Sequence, residues 1–277
     1  MNLELSPLPV PHEQNCLSDL MGKLVSPEQL RGQLVVIAGL GNIGSPLALL
    51  LGRSLGPLGV RLRLIDRDLV EPKNLVNQAF GETSDIGRSK VGVIAGAIRR
   101  VCPSVDCDPR HIDLEDTSFD DFADAALCLG GLDSLRARQC LINDRAWPLS
   151  VPVIDGGVGE PALGRVHVFV PGPQTACPEC SWSKTHYRQL AQEYPCDPGR
   201  RAEGPPTNVP AFVGAAVASV MASECWKWLS GQRLADSIEV SFDLDSRRFH
   251  TGRLHRAAAC RFGHQVLRAN QIRSTVS

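Results

Sequence analysis

Leu34-Val35-Val36-Ile37-Ala38-Gly39-Leu40-Gly41-Asn42-Ile43-Gly44 decides how the rest of the chain is read. Five apolar residues bounded by glycine predict a short buried strand. Apolar residues at helical spacing over 43–55 predict a helix directly after it, ended by Gly56-Pro57 and Gly59. A glycine loop lies between the two. Its first glycine permits a tight turn, its second lets a phosphate approach the backbone, and its third lets helix and strand pack closely. The helix start adds free N–H groups and a partial positive charge. Gly39, Gly41, Asn42 and Gly44 are therefore candidate nucleotide contacts.

Working outward, residues 60–65 predict a second strand that ends at Asp66, where a carboxylate can accept from ribose hydroxyls. The glycine loop and Asp66 alone leave dinucleotide and mononucleotide binding equally open. A helix over 89–101, strands over 105–112 and 125–129, a helix over 134–147 and a strand over 151–154 follow. That alternation predicts an α/β, Rossmann-like fold with a parallel sheet covered on both faces. The character changes after Gly156. Residues 165–170 read as a strand with no following helix, and residues 211–229 as an apolar helix. Residues 237–242 and 247–254 read as a hairpin, so the sheet is expected to be mixed, with antiparallel C-terminal strands. Residues 181–210 are polar and rich in Pro and Gly, and are read as a mobile crossover loop. Residues 1–30 read as an N-terminal arm with a short helix near 17–24, and residues 31–277 as one domain.

Bulk properties narrow the function. The 277 residues, 43% of them hydrophobic, suffice for one substantial core. A net charge of −1 without a dense Lys/Arg run gives no support to a nucleic-acid partner, and 5% aromatic content speaks against a base-stacking surface. No apolar stretch reaches the ~20 residues that span a bilayer, so no membrane association is expected. The first sixteen residues lack a basic segment followed by an apolar core, so no secretory signal is read there. Ten cysteines then point to a reducing, cytoplasmic setting, as metal ligands, catalytic thiols or buried small hydrophobes.

Asp66-Arg67-Asp68-Leu69-Val70-Glu71-Pro72-Lys73-Asn74-Leu75-Val76-Asn77-Gln78 resembles the Asp-x-Asp-x-Val…Asn-Leu-x-Arg-Gln stretch of the ThiF/MoeB/ubiquitin-activating superfamily. Ile86-Gly87-Arg88-Ser89-Lys90-Val91 resembles its Val-Gly-x-x-Lys, and Leu132-Asp133-Ser134 its Thr-Asp-Asn, with Arg138 where a helix arginine follows. The resemblance implies an ATP-dependent adenylyltransferase acting on the C-terminal carboxylate of a small ubiquitin-like or sulfur-carrier protein, in a homodimer. It implies Lys90 over the phosphates as a point charge, Asp133 on Mg²⁺, Asp66 on the ribose, and Asp68, Asn74, Asn77 and Gln78 around the nucleotide. Such chemistry needs positioning and charge stabilisation more than covalent help. Two plainer readings stay open: Lys90 as a surface residue, and Asp133 as the cap of the next helix.

The chain departs from that pattern in several places. Asn77 stands where the family has arginine, and Arg88 is a candidate to supply the lost charge. The N-terminal Arg-Tyr-x-Arg-Gln segment is absent, with Arg31 the nearest candidate. Asn143 lies one residue out of step with the family's helix asparagine. These changes motivate an alternative, a non-catalytic subunit that binds a ubiquitin-like protein and pairs with an active partner. A nicotinamide oxidoreductase is a further rival, but it leaves Lys90, Asp133 and the cysteines unexplained.

Cys177-Pro178-Glu179-Cys180 has the spacing of one arm of a zinc site, and Cys260 with His264 would complete a closed, structural three-cysteine, one-histidine set. His255 is an alternative fourth ligand, and a redox pair at Cys177 and Cys180 is the rival reading. Some relatives pass the activated tail to a cysteine as a thioester. Cys196, near Arg200 and Arg201, is the only loop cysteine here placed for that role.

Overall fold

The computed structural model describes residues 27–78, 80–193 and 209–264. The helix expected near 17–24, most of the arm read at 1–30, and Cys196 lie outside the described residues. The strands are β1 (Leu34–Ala38), β2 (Arg61–Ile65), β3 (Cys107–Arg110), β4 (Ala125–Gly130), β5 (Val153–Gly159), β6 (Leu163–Phe169), β7 (Ile238–Asp243) and β8 (Arg248–Arg253). The helices are α1 (Pro27–Leu30), α2 (Gly44–Leu55), α3 (Asn74–Asn77), α4 (Lys90–Val101), α5 (Leu135–Gln139), α6 (Lys184–Glu193) and α7 (Ala211–Leu229). Among the described residues the eight strands form one sheet in the order β3-β2-β1-β4-β5-β6-β7-β8. The first five run parallel, and β6, β7 and β8 pair antiparallel, which is the mixed sheet expected.

Strand β1 shows why an unbroken apolar run is required. Side chains alternate across a strand, so a sheet covered on both faces buries every position. Val35 and Ile37 join one core with Leu47 and Leu51 of α2, Ile94 and Ile98 of α4, and Val217 and Met221 of α7. Leu34, Val36 and Ala38 join the core on the opposite face with Phe122, Leu141 and Trp147. Each large side chain so buried stabilises the fold by about 1.5–3 kcal/mol.

The chain runs outward from β1 through β2 to β3, then returns to β4 on the other side of β1. The crevice at the carboxyl ends of β1 and β4 is thus the switch point where open α/β sheets bind ligands. The glycine loop leaves β1 there, and Gly130-Gly131 leave β4 there.

Four elements differ from the sequence reading. Strand β3 is shorter than 105–112 and contains Pro109, tolerated because β3 is the edge of the sheet. Strand β5 begins at Val153 and, beyond the strand read at 151–154, runs on through Gly156, Gly157 and Gly159 to form a hairpin with β6. The helix read at 134–147 is α-helical only through Gln139. Cys140–Ala146 is π-helical, with Trp147 N–H donating to Ile142 O at 2.8 Å. The segment read as one mobile loop over 181–210 contains α6, while residues 194–208 lie outside the described residues.

Candidate functional site

The glycine loop closes on itself tightly and leaves one side open. Gly39 has φ +82°, and a Cβ on Gly44 would lie 1.8 Å from Gly39 O. A Cβ on Gly41 would meet nothing within 4 Å, so that side offers free backbone to an incoming group. Asn42 turns away from it: Asn42 Nδ2 donates to Val209 O at 3.3 Å, and a Cβ on Gly214 of α7 would lie 2.4 Å from Asn42 Oδ1. Asn42 therefore braces the loop against the start of α7.

Asp66 is buried at the end of β2. Its Oδ2 accepts from Leu40 N–H at 2.5 Å and its Oδ1 from Asp68 N–H at 2.7 Å. In this arrangement Asp66 ties the glycine loop to β2, while lone pairs on both oxygens are left for a further donor. Burial raises its pKa, and the Lys90 ammonium only partly offsets that.

Lys90 opens α4 with its side chain buried, and Nζ donates to Asp68 Oδ2 at 2.9 Å. The surface reading of Lys90 is thereby excluded. Lys90 and Gln78 line one narrow cleft with Leu40, Ser45, Val70, Phe80 and Ile94. Asn74 is buried, its Oδ1 accepts from Glu71 N–H at 2.9 Å, and its carbonyl accepts from Gln78 N–H at 2.8 Å. Asn77 occupies the last position of α3. Arg88, the candidate replacement for the charge missing there, pairs with Asp85 at 2.6 Å.

Asp133 follows Gly131 and Leu132 past the end of β4 and is exposed. The cap of α5 is Ser134, whose Oγ accepts from Ala137 N–H at 3.0 Å. The capping reading of Asp133 is therefore excluded. Arg67, just past β2, pairs with Asp113 at 2.6 Å. Burial works against its charge, but Asp113, then Asp68 and Asp133, more than offset this and raise its pKa. Arg138 lies in α5, paired with the buried Asp155 of β5.

The cysteine and histidine ligand atoms converge. One donor atom each from Cys177, Cys180, Cys260 and His264 lies within 4.8 Å of the others. Sγ of Cys177 is 3.9 Å from that of Cys180 and 3.5 Å from that of Cys260, and Cys180 Sγ is 3.3 Å from His264 Nε2. Tetrahedral zinc with bonds of about 2.3 Å to sulfur separates its thiolates by about 3.8 Å, so the donor set fits that ion in kind and spacing. Burial and the neighbouring thiols push the Cys177 pKa far up, which a bound cation would reverse. His255 is exposed and outside the cluster, so His264 is the fourth donor.

Several residues of the site went unread in the sequence. Arg67 lay unnoticed inside the quoted motif. Asp155 was signalled only by an acid at the end of the apolar run Val151–Ile154. Glu179 sits between the first two cysteines, is buried, and accepts from Gln139 at 2.9 Å, Asn143 at 2.8 Å and Tyr187 at 2.9 Å.

Comparison with known proteins agrees with this fold. The model of the ThiF family matches residues 15–262. The NEDD8-activating enzyme E1 catalytic subunit of Schizosaccharomyces pombe is 30% identical over 153 residues, 53% of this chain and 33% of that one. The adenylyltransferase and sulfurtransferase UBA4 of Eremothecium gossypii is 34% identical over 152 residues, again 53% of this chain and 33% of that one. The match thus spans a third of the length of these two relatives. The crystal structure of E. coli MccB with AMPCPP and MccA shares the fold, with a TM-score of 0.69 at 21% identity over 91% of this chain and 76% of that one.

Proposed function

Because the chain belongs to the ThiF family, we propose that it adenylates the C-terminal carboxylate of a small ubiquitin-like or sulfur-carrier protein. The carboxylate oxygen attacks the α-phosphorus of ATP, the bond to the bridging oxygen breaks, and pyrophosphate leaves with that oxygen. The observation that carries this reading is the arrangement at the switch point. A buried Lys90 held by Asp68 lies beside a glycine loop whose Gly41 side is open, and an exposed acid, Asp133, stands at the end of β4. In this reading backbone N–H groups of the loop and the Lys90 charge receive the phosphates of the nucleotide, and Asp66 accepts from its ribose. Mg²⁺, when bound, neutralises phosphate charge and takes one carboxylate plus phosphate oxygens, a role for Asp133.

ATP–pyrophosphate exchange with purified protein, Mg²⁺ and candidate carrier proteins tests the reading. Exchange that requires one carrier with its C-terminal residue intact supports it. No exchange with any carrier, despite ATP binding, would favour a second reading: a subunit that needs an active partner. That reading draws on Asn77 in place of arginine and on Arg88, which is engaged with Asp85. The family resemblance also leads us to propose a homodimer, checked by light scattering. Transfer of the activated tail to Cys196 is a further step of the proposal, and an intact pathway in Cys196→Ala would remove it. Among the described residues no helix is long and apolar enough to cross a membrane.

A further inference from the structure

We propose that Arg138, seated on Asp155, is a positioning residue that aims Asp133 at the metal–nucleotide site; the inference rests on the reading of Asp133 given above. Arg138 carries a rigid, planar fork of donors. Nη1 pairs with Asp155 Oδ2. Nη2 donates to Leu132 O at 2.8 Å and to Gly156 O at 2.9 Å. Leu132 O belongs to the peptide that leads directly into Asp133. One guanidinium thus fastens that peptide to β5, while the Ser134 cap fastens the residue on its other side. Asp133 is fixed in backbone on both flanks and left exposed in side chain.

The surrounding chain is shaped to seat this pair. A Cβ on Gly130 would lie 2.7 Å from Asp155 Oδ1, and a Cβ on Gly157 would lie 3.3 Å from Arg138 Nη2. Asp155 is 2% exposed, and a buried ion pair is a poor source of net stability compared with apolar packing of the same volume. What the pair supplies that an apolar pair would not is a directed contact to the Leu132 carbonyl. A lysine at 138 would keep the charge but could not hold three acceptors in one plane.

The test uses the full chain as wild type, Arg138→Lys and Asp155→Asn. Binding of Mn²⁺ in the presence of ATP is followed by electron paramagnetic resonance, and binding of ATP without metal by calorimetry. Zinc content and Tm are recorded alongside. Supporting residues behind metal ligands change metal affinity by about 10–100-fold. Arg138→Lys is expected to weaken Mn²⁺ binding with ATP by about tenfold or more, with metal-free ATP affinity and zinc content unchanged. Mn²⁺ binding equal to wild type, or an equal loss of metal-free and metal-dependent binding, would overturn the inference. Should Arg138→Lys fail to fold, the isosteric Asp155→Asn decides on the same readouts. Wild-type protein that binds no Mn²⁺ with ATP would overturn the reading of Asp133 together with this inference, whereas normal wild-type binding with insensitive variants overturns the inference alone.

Discussion

Asn143 Nδ2 donates to Glu179 Oε1 at 2.8 Å, so the helix after β4 and the turn carrying Cys177 and Cys180 share a buried hydrogen bond. The π-helical stretch Cys140–Ala146 makes this contact, because a wider turn takes up one extra residue. The asparagine that stands one residue out of step in sequence is thus the residue that meets the zinc arm. Glu179→Ala would leave the Gln139 and Asn143 amides and the Tyr187 hydroxyl without their acceptor. A buried group left unsatisfied costs about 1–3 kcal/mol. Of the three, Asn143 is fully buried while Gln139 and Tyr187 reach solvent, so denaturant unfolding of this variant should show a loss of about 1–3 kcal/mol, with zinc content unchanged. Wild-type stability would remove the network from the account of the fold.

The metal centre makes a separate prediction. Trp147 packs edge-on against Phe262 and His264, at centroid distances of 5.6 and 5.3 Å. A zinc ion held by Cys260 and His264 would therefore fasten the turn at 260–264 onto the core beside Trp147. Elemental analysis should find one zinc per chain in wild type and in His255→Ala, and less in His264→Ala and Cys260→Ser. Chelation should lower Tm. Loss of zinc in His255→Ala, with retention in His264→Ala, would reverse the ligand assignment.

Asp133 and Ser134 are adjacent, yet their substitutions should fail differently. Ser134→Ala removes a helix cap and should cost about 1 kcal/mol of stability, and it should lower pyrophosphate exchange without abolishing it. Asp133→Ala changes an exposed side chain and should keep stability within about 0.5 kcal/mol, but it should abolish Mg²⁺-dependent exchange. Full exchange by Asp133→Ala would remove it from the site.

Strand β1, the tight glycine loop and the convergence of Cys177, Cys180, Cys260 and His264 were legible because each rests on local pattern: an apolar run, a fixed glycine spacing, a close cysteine spacing. The parts that were not legible depend on tertiary contact. Helix α6 is polar in composition, and Tyr187 ties it to the rest through Glu179 and through the Arg261 guanidinium 4.1 Å above its ring. No spacing in the sequence announces those two contacts. The strand read at 151–154 stopped short of Gly156 and Gly157, which continue β5 and give Arg138 room. Asp66 and Asn42 were read as nucleotide contacts, but in the folded chain their hydrogen-bond partners are backbone groups of the loop and its neighbours, which only folding brings within reach.

The buried thiols predict how the fold responds to alkali. Burial pushes Cys225 on α7 from 9.0 up to about 12. It also pushes Cys107 up to about 11 and Cys140 up to about 11, against nearby arginines. In each case the folded state favours the protonated thiol more than the unfolded chain does. The stability these groups contribute is therefore fully present below pH 9 and is lost as the pH rises through the folded-state values. Tm should fall between pH 9 and about pH 11, and Cys225→Ala should flatten that fall even though it starts from a lower Tm at pH 8. At pH 8 the folded protein should resist alkylation at Cys225 both with and without chelator, because burial rather than metal protects it. Chelator should open Cys180 and Cys260, the half-exposed members of the zinc set, to the same reagent. Equal labelling of Cys225 and Cys260 after chelation would show that removing the metal unfolds the whole chain and not only its C-terminal turn.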